Sequence, residues 1–90
     1  MPDENFDEQN CLRRIAGGDE AAARELLRHF YPFVLKLVRA HLPRRMNEED
    51  LVQMTFIKIF QNLGQYRGKV PLAHWISRVT VNTCFNALRA

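Results

Sequence analysis

Apolar residues recur every three or four positions along most of this chain, and nowhere do they alternate at the period of a strand. That spacing predicts helices throughout. Leu12 and Ile15 are the apolar pair of a short first helix, roughly residues 9–16. Gly17 and Gly18 stop it, because glycine readily supplies the left-handed residue after a helix. Asp19 is placed to cap a second helix, with Glu20 in the first turn, where negative charge suits the helix dipole. This helix reaches about residue 41, with Leu26, Leu27, Phe30, Phe33, Val34, Leu37, Val38 and Leu42 as its apolar set. Pro32 inside it is expected to kink it or divide it in two. Residues 43–46 form a loop. Asn47 caps a third helix, with Glu48, Glu49 and Asp50 in its first turn, which runs to about Leu63 and is ended by Gly64. Residues 65–70 form a second loop, and Pro71 suits the first turn of a fourth helix that continues to the last residue. The expected fold is all-α, a compact bundle of four to five helices. Residues 1–8 are expected to be a disordered or loosely ordered tail.

Ninety residues correspond to one domain with a single modest core. An apolar content of 47% belongs to a globular chain rather than a disordered one. No apolar run approaches the ~18 residues of a membrane span. The N-terminus is acidic and polar, unlike a signal peptide, so the expected location is the cytoplasm. Cys11 and Cys84 have no metal or redox spacing and read as reduced, structural thiols. Arg89 and Ala90 end the fourth helix without a Gly, Asn or Pro stop, which suggests a domain cut from something longer.

Charge divides the chain. Residues 51–90 hold Lys58, Arg67, Lys69, Arg78 and Arg89 and no carboxylate side chain, so they are +5 by count and the first fifty residues are −2. A field of one sign favours an anionic partner. Within this stretch, the third helix carries a core stripe (Val52, Phe56, Ile59, Phe60, Leu63) and a second face formed by Asp50, Gln53, Met54, Ile57 and Gln61. Met54 and Ile57 on that face either dock another protein or pack on the N-terminal helix. On the fourth helix, Leu72, Ile76, Val79, Thr83 and Ala87 make the core stripe. His74, Trp75, Arg78, Asn82, Phe85, Asn86 and Arg89 lie on another flank. Arginine forks pair with phosphate, amides reach base edges and aromatic faces stack on unpaired bases. The alternative is that Trp75 and Phe85 are rim-of-core residues and Arg78 and Asn82 are merely solvated. Tyr66-Arg67-Gly68-Lys69 abuts this flank, and its glycine lets backbone approach a ligand. No acid–base pair, nucleophile–histidine spacing or metal-ligand cluster is present in the sequence, so no catalytic residue, metal or cofactor is expected.

Read in order, Glu49-Asp-Leu-Val-Gln-Met-Thr-Phe-Ile-Lys-Ile-Phe60, Tyr66-Arg-Gly68, His74-Trp-Ile-Ser-Arg-Val-Thr-Val-Asn82 and Asn86-Ala-Leu-Arg89 resemble region 2 of bacterial sigma factors, the ECF (extracytoplasmic function) type in particular. Gly18-Asp-Glu-Ala-Ala-Ala and Phe30-Tyr-Pro-Phe33 match the family's first helices, so the resemblance covers roughly residues 9–90. It implies a transcription initiation factor domain, not an enzyme. Such a domain docks on the β′ clamp helices of RNA polymerase core and helps melt the promoter −10 element by capturing non-template bases as single strand. The docking role falls on Asp50, Gln53, Met54 and Ile57, with Phe56 and Phe60 in the core. The DNA role falls on Tyr66, Arg67, Gly68, Lys69, Trp75, Arg78 and Asn82, with Asn86 added. An anti-sigma protein is a further expected partner, whereas a small-molecule substrate and a membrane are not. Two departures stand out: Met54 occupies a position that is usually acidic, and Gly68-Lys-Val-Pro-Leu72 replaces an acid and small polar residues. The family's second domain, which reads the −35 element, has no counterpart in this chain.

Two rival readings come from the residues alone. One is a helix-turn-helix repressor reading duplex DNA, a motif that needs a turn of 3–4 residues, shorter than the segment from Gly64 to Val70. The other is a protein-interaction module whose basic face binds an acidic regulator.

Overall fold

The computed structural model describes residues 6–41 and 46–89. The expected core residue Leu42, the loop residues 43–45, the tail residues 1–5 and the side chain of Arg89 lie outside what is described. The described chain is all-α. Helix α1 spans Glu8–Ala16, α2 Glu20–His41, α3 Glu48–Asn62 and α4 Leu72–Arg89, with a 3-10 turn over Leu63–Gln65. It divides into two compact units, one up to Pro32 and one from Phe33 onward.

In the first unit, α1 starts one residue earlier than its apolar pair predicts. The Asp7 carboxylate caps it, accepting from the Asn10 amide at 3.1 Å. Of the expected tail, Phe6 stacks on His29, with ring centroids 3.9 Å apart and planes within 7°. Gly18 takes the left-handed conformation, φ 90°, that ends α1. Asp19 then does two jobs. Its Oδ1 caps α2 by accepting from the Ala21 and Ala22 amides (2.9 and 3.3 Å), and its Oδ2 accepts from Arg14 Nε at 2.9 Å. The same guanidinium forks onto Glu25, with N–O distances of 3.3 and 2.8 Å. One arginine therefore ties the end of α1 to the first two turns of α2. Cys11, Ala22, Leu26 and Phe30 are buried, and the Cys11 thiol donates to the Ala22 carbonyl at 3.2 Å.

The division expected at Pro32 is not found: α2 is continuous over 22 residues. Proline removes one amide, leaving the Arg28 carbonyl without its usual intrahelical donor. Arg28 and Pro32 are both exposed, so water can take that place, while Phe30 and Val34 on either side remain buried. Leu27 is the other departure on this helix. It belongs to the expected core set but is 38% exposed.

In the second unit, Asn47 caps α3 by accepting from the Glu49 and Asp50 amides at 2.8 and 3.4 Å. Arg39 forks onto Glu48 (2.9 and 3.1 Å), which joins the last turn of α2 to the first turn of α3. Helix α3 packs against α4. Its buried residues are Leu51, Val52, Thr55, Phe56 and Ile59, whereas Phe60 and Leu63 are only half-buried. On α4 the buried set is Leu72, Ile76, Thr80, Thr83 and Cys84, with Val79 and Ala87 half-buried. Gly64 does not end α3 with a left-handed residue; the chain tightens into the 3-10 turn, and the Tyr66 amide donates to the Leu63 carbonyl at 3.1 Å. The Pro71 carbonyl receives the Trp75 amide at 3.1 Å and opens α4.

Two outcomes follow for stability. Asn47→Ala removes both amide acceptors at the start of α3 and is expected to cost about 1 kcal/mol in chemical denaturation. The second concerns pH. The hydrogen bond from Arg14, helped by the Ala22 amide, holds the Asp19 carboxyl below its ordinary pKa, and the hydrogen bond from Arg39 does the same for Glu48. A carboxyl with a lowered folded-state pKa stabilises the fold fully above its unfolded value, roughly 4, and loses that contribution as pH falls through the folded value. The melting temperature followed by circular dichroism should therefore drop below about pH 4. Asp19→Asn should melt lower than the parent at neutral pH and fall less steeply with acid.

Candidate functional site

The packing of α3 on α4 leaves two sets of the expected residues in solvent. On α3, Asp50, Gln53, Met54 and Ile57 are all exposed, and Gln61 continues the same side. Met54 is 42% and Ile57 55% exposed. An apolar pair ringed by an acid and two amides matches the composition of a protein interface centre. Phe56 is buried as expected, and Phe60 lies beside it at the rim, with ring centroids 6.4 Å apart.

The second set begins in the loop after the 3-10 turn. Tyr66 is half-buried and its ring meets Trp75, with centroids 5.7 Å apart and planes inclined at 51°. Its hydroxyl donates to the Val70 carbonyl, which closes residues 66–70 into a short clasp. Gly68 sits inside the clasp with φ 76°, and a side chain there would meet nothing within 4 Å. Backbone conformation, not crowding, is the reason for glycine at this position. Arg67, Gly68 and Lys69 are all exposed at the tip.

Helix α4 continues this surface. Trp75 is half-buried beside the core, and Arg78, Asn82 and Asn86 are exposed at intervals of four along one flank. His74 and Phe85 are exposed as well, the latter 49%, and the Phe85 ring stands edge-on to His41. Among the described residues Arg67, Lys69 and Arg78 make no ion pair, so their charge is available to an anion. The structure thus brings Tyr66, Trp75 and the loop cations together, and sets Arg78, Asn82 and Asn86 in line along α4. It does not bring Asp50, Gln53, Met54 and Ile57 into that group, since they lie on α3. Spacing alone does not reveal that the Tyr66 hydroxyl is engaged with the backbone, because that bond depends on the fold of the loop. The cue in the sequence is Gly68, which marks a turn sharp enough to bring Val70 back toward Tyr66.

Chemically, this second surface can hold phosphates at Arg67, Lys69 and Arg78, offer amides to base edges, and present the edge of a Tyr–Trp pair for stacking. Among the described residues no three His, Cys, Asp or Glu side chains gather as a metal site would require. No described helix is long and apolar enough to cross a membrane.

Comparison with known proteins places this geometry. The Sigma-70 region 2 family model matches residues 26–90. The chain is 30% identical over 87 residues to an ECF RNA polymerase sigma-E factor of Haemophilus influenzae, covering 97% of this chain and 46% of that protein. It is 32% identical to the sigma-E factor of Escherichia coli K12, over 97% of this chain and 45% of that one. An RNA polymerase sigma-H factor of Pseudomonas aeruginosa is 29% identical over 92% of this chain and 43% of its own length. The chain thus spans less than half the length of these curated relatives. Among solved structures, an engineered region 2 of sigma-E, determined by NMR in complex with GTAAAA, superposes with a TM-score of 0.83 at 29% identity, covering 97% of this chain and 90% of that one. Matched over residues 26–90 and across all four helices, the chain belongs to the Sigma-70 region 2 family.

Proposed function

We propose that residues 9–90 are the region of an ECF-type sigma factor that docks on RNA polymerase core and holds promoter −10 DNA. On this reading the exposed face of α3, through Asp50, Gln53, Met54 and Ile57, meets the clamp helices of the β′ subunit. The clasp residues Tyr66–Lys69 and the α4 flank of Trp75, Arg78, Asn82 and Asn86 receive unpaired non-template bases and their phosphates. The role is one of binding and carries no catalytic step. Its place of action is the cytoplasm, where polymerase works, and an anti-sigma protein that covers either face would regulate it. The observation that carries the reading is the presence, in one small unit, of two exposed faces of opposite chemistry: an apolar–amide face on α3, and a cationic, amide and aromatic face from Tyr66 onward. The similar sigma-E region 2, determined in complex with GTAAAA, supports nucleic-acid binding by a domain of this fold. The helix-turn-helix reading is disfavoured, because a 3-10 turn and a clasped loop separate α3 from α4 where that motif has a turn of about 3–4 residues.

The two faces are separable by mutation. Arg78→Ala with Asn82→Ala should weaken binding to a short single-stranded −10 oligonucleotide at least tenfold, at fixed salt, and leave polymerase core binding intact. Gln53→Ala with Ile57→Ala should do the reverse. If each pair weakens both activities alike, the assignment of separate faces is wrong. A second outcome concerns the clasp. Tyr66→Phe keeps the ring and removes the hydroxyl that holds Val70. Amide hydrogen exchange at residues 67–70 should speed up, and affinity for the oligonucleotide should fall several-fold while the helical circular dichroism is unchanged. Unaltered exchange would show that the hydroxyl does not order the loop.

A further inference from the structure

The first unit carries a surface that neither proposed face uses. Arg24, Leu27, Arg28, Tyr31 and Pro32 line a cleft of about 400 Å³ along α2. Their spacing places Arg24, Leu27, Arg28 and Tyr31 on one side of the helix. Leu27 is 38% and Tyr31 37% exposed, although both are large apolar groups on a helix whose other apolar residues include the buried Ala22, Leu26 and Phe30. Arg24 and Arg28 are exposed and form no ion pair among the described residues. The nearby acids do not neutralise them. Glu25 is engaged with Arg14, and Glu20, one turn before Arg24, makes no ion pair.

We infer that this cleft is a docking surface for an acidic amphipathic helix of a partner protein, distinct from polymerase and DNA. Three features fix the chemistry. The floor is apolar and aromatic, which a phosphate backbone does not need and a Leu or Phe side chain fills. Two uncompensated guanidiniums four residues apart call for carboxylates at matching spacing, and each can pair as a planar fork. The lining residues follow the i, i+3, i+4, i+7 row of α2, the geometry in which a second helix lies alongside and presents its own row of side chains. Tyr and Arg are also the residues that dominate binding at such contacts. The partner segment therefore carries two Asp or Glu residues about one turn apart, with apolar residues between them that reach Leu27 and Tyr31.

The test is a selection of helical peptides displayed on phage against the folded 90-residue chain, followed by affinity measurements on synthetic versions. Enriched peptides should carry the paired acids with apolar residues between. Their affinity should fall at least tenfold on Arg24→Gln with Arg28→Gln, and several-fold on Leu27→Ala, which leaves the charge unchanged. Resonances of residues 24, 27, 28 and 31 should shift on titration with peptide. The double variant should still bind the single-stranded −10 oligonucleotide as the parent does, so failure of this proposal is distinguishable from failure of the function proposed above. Enrichment of neutral or basic peptides, or binding indifferent to these variants, overturns the inference. So does a loss of oligonucleotide binding in the double variant, which would make the arginines phosphate contacts.

Discussion

Helix α3 has one rotational setting, because Leu51, Val52, Thr55, Phe56 and Ile59 all have to leave water together. Its partner α4 meets that stripe with Leu72, Ile76, Thr80, Thr83 and Cys84. Once the stripe is fixed, the positions of Asp50, Gln53, Met54 and Ile57 are no longer free. They must lie outward, whatever they are needed for. The same packing fixes the axis of α4 and so the line of Arg78, Asn82 and Asn86. Both surfaces thus depend on one seam, and a core substitution in the seam would disturb them together, whereas surface changes act on one at a time.

The seam is less oily than its position suggests. Thr55, Thr80 and Thr83 are buried, yet each hydroxyl donates to the carbonyl four residues earlier on its own helix, at 2.8, 2.7 and 2.7 Å. No buried side-chain nitrogen or oxygen among the described residues lacks a partner. Self-satisfied threonines place a small, polar-neutralised surface at the contact and ask nothing of the opposite helix. Burial also raises the pKa of the Cys84 thiol, which keeps it protonated and inert beside them.

Thr55 and Thr80 mark where the sequence was hard to read. The expected stripe of α4 includes Thr83, which is buried, but also Val79 and Ala87, which are only half-buried, while Thr80 and Cys84 take buried places outside it. Leu72, Ile76 and Thr83 keep their expected buried places, so the change is confined to one edge of the stripe and leaves the exposed flank of α4 largely as expected. The caps were legible because they are local: Asp19 and Asn47 need only the amides two and three residues ahead. Gly18 was legible for the same reason, and α3 ends near Gly64 as expected, by tightening into the 3-10 turn. Pro32 does not divide α2, because the carbonyl it leaves without a donor lies on a solvated side. Pairings that need the chain to return on itself, such as Tyr66 to Val70 or Arg14 to Glu25, leave no periodic trace in the sequence.

The clasp alters the energetics of the proposed function. Opening duplex costs about 1.4 kcal/mol per base-pair step on average, and stacking a base on an aromatic ring returns roughly 1–3 kcal/mol. Two rings in sequence suggest two stacking platforms. Tyr66 is already half-buried against Trp75, and its hydroxyl is taken by Val70, so the pair presents one composite edge. One captured base therefore roughly offsets one or two opened steps, and the phosphate contacts proposed for Arg67, Lys69 and Arg78 do not distinguish open from closed DNA strongly. What the clasp supplies is order: a loop already folded loses less conformational entropy on binding than a mobile one. A domain built this way is suited to trapping a base that thermal opening exposes. On the proposed function, the free energy for extended melting has to come from a partner that binds the opened strands as well, and the α4 flank and the exposed face of α3 serve that purpose on the same small unit.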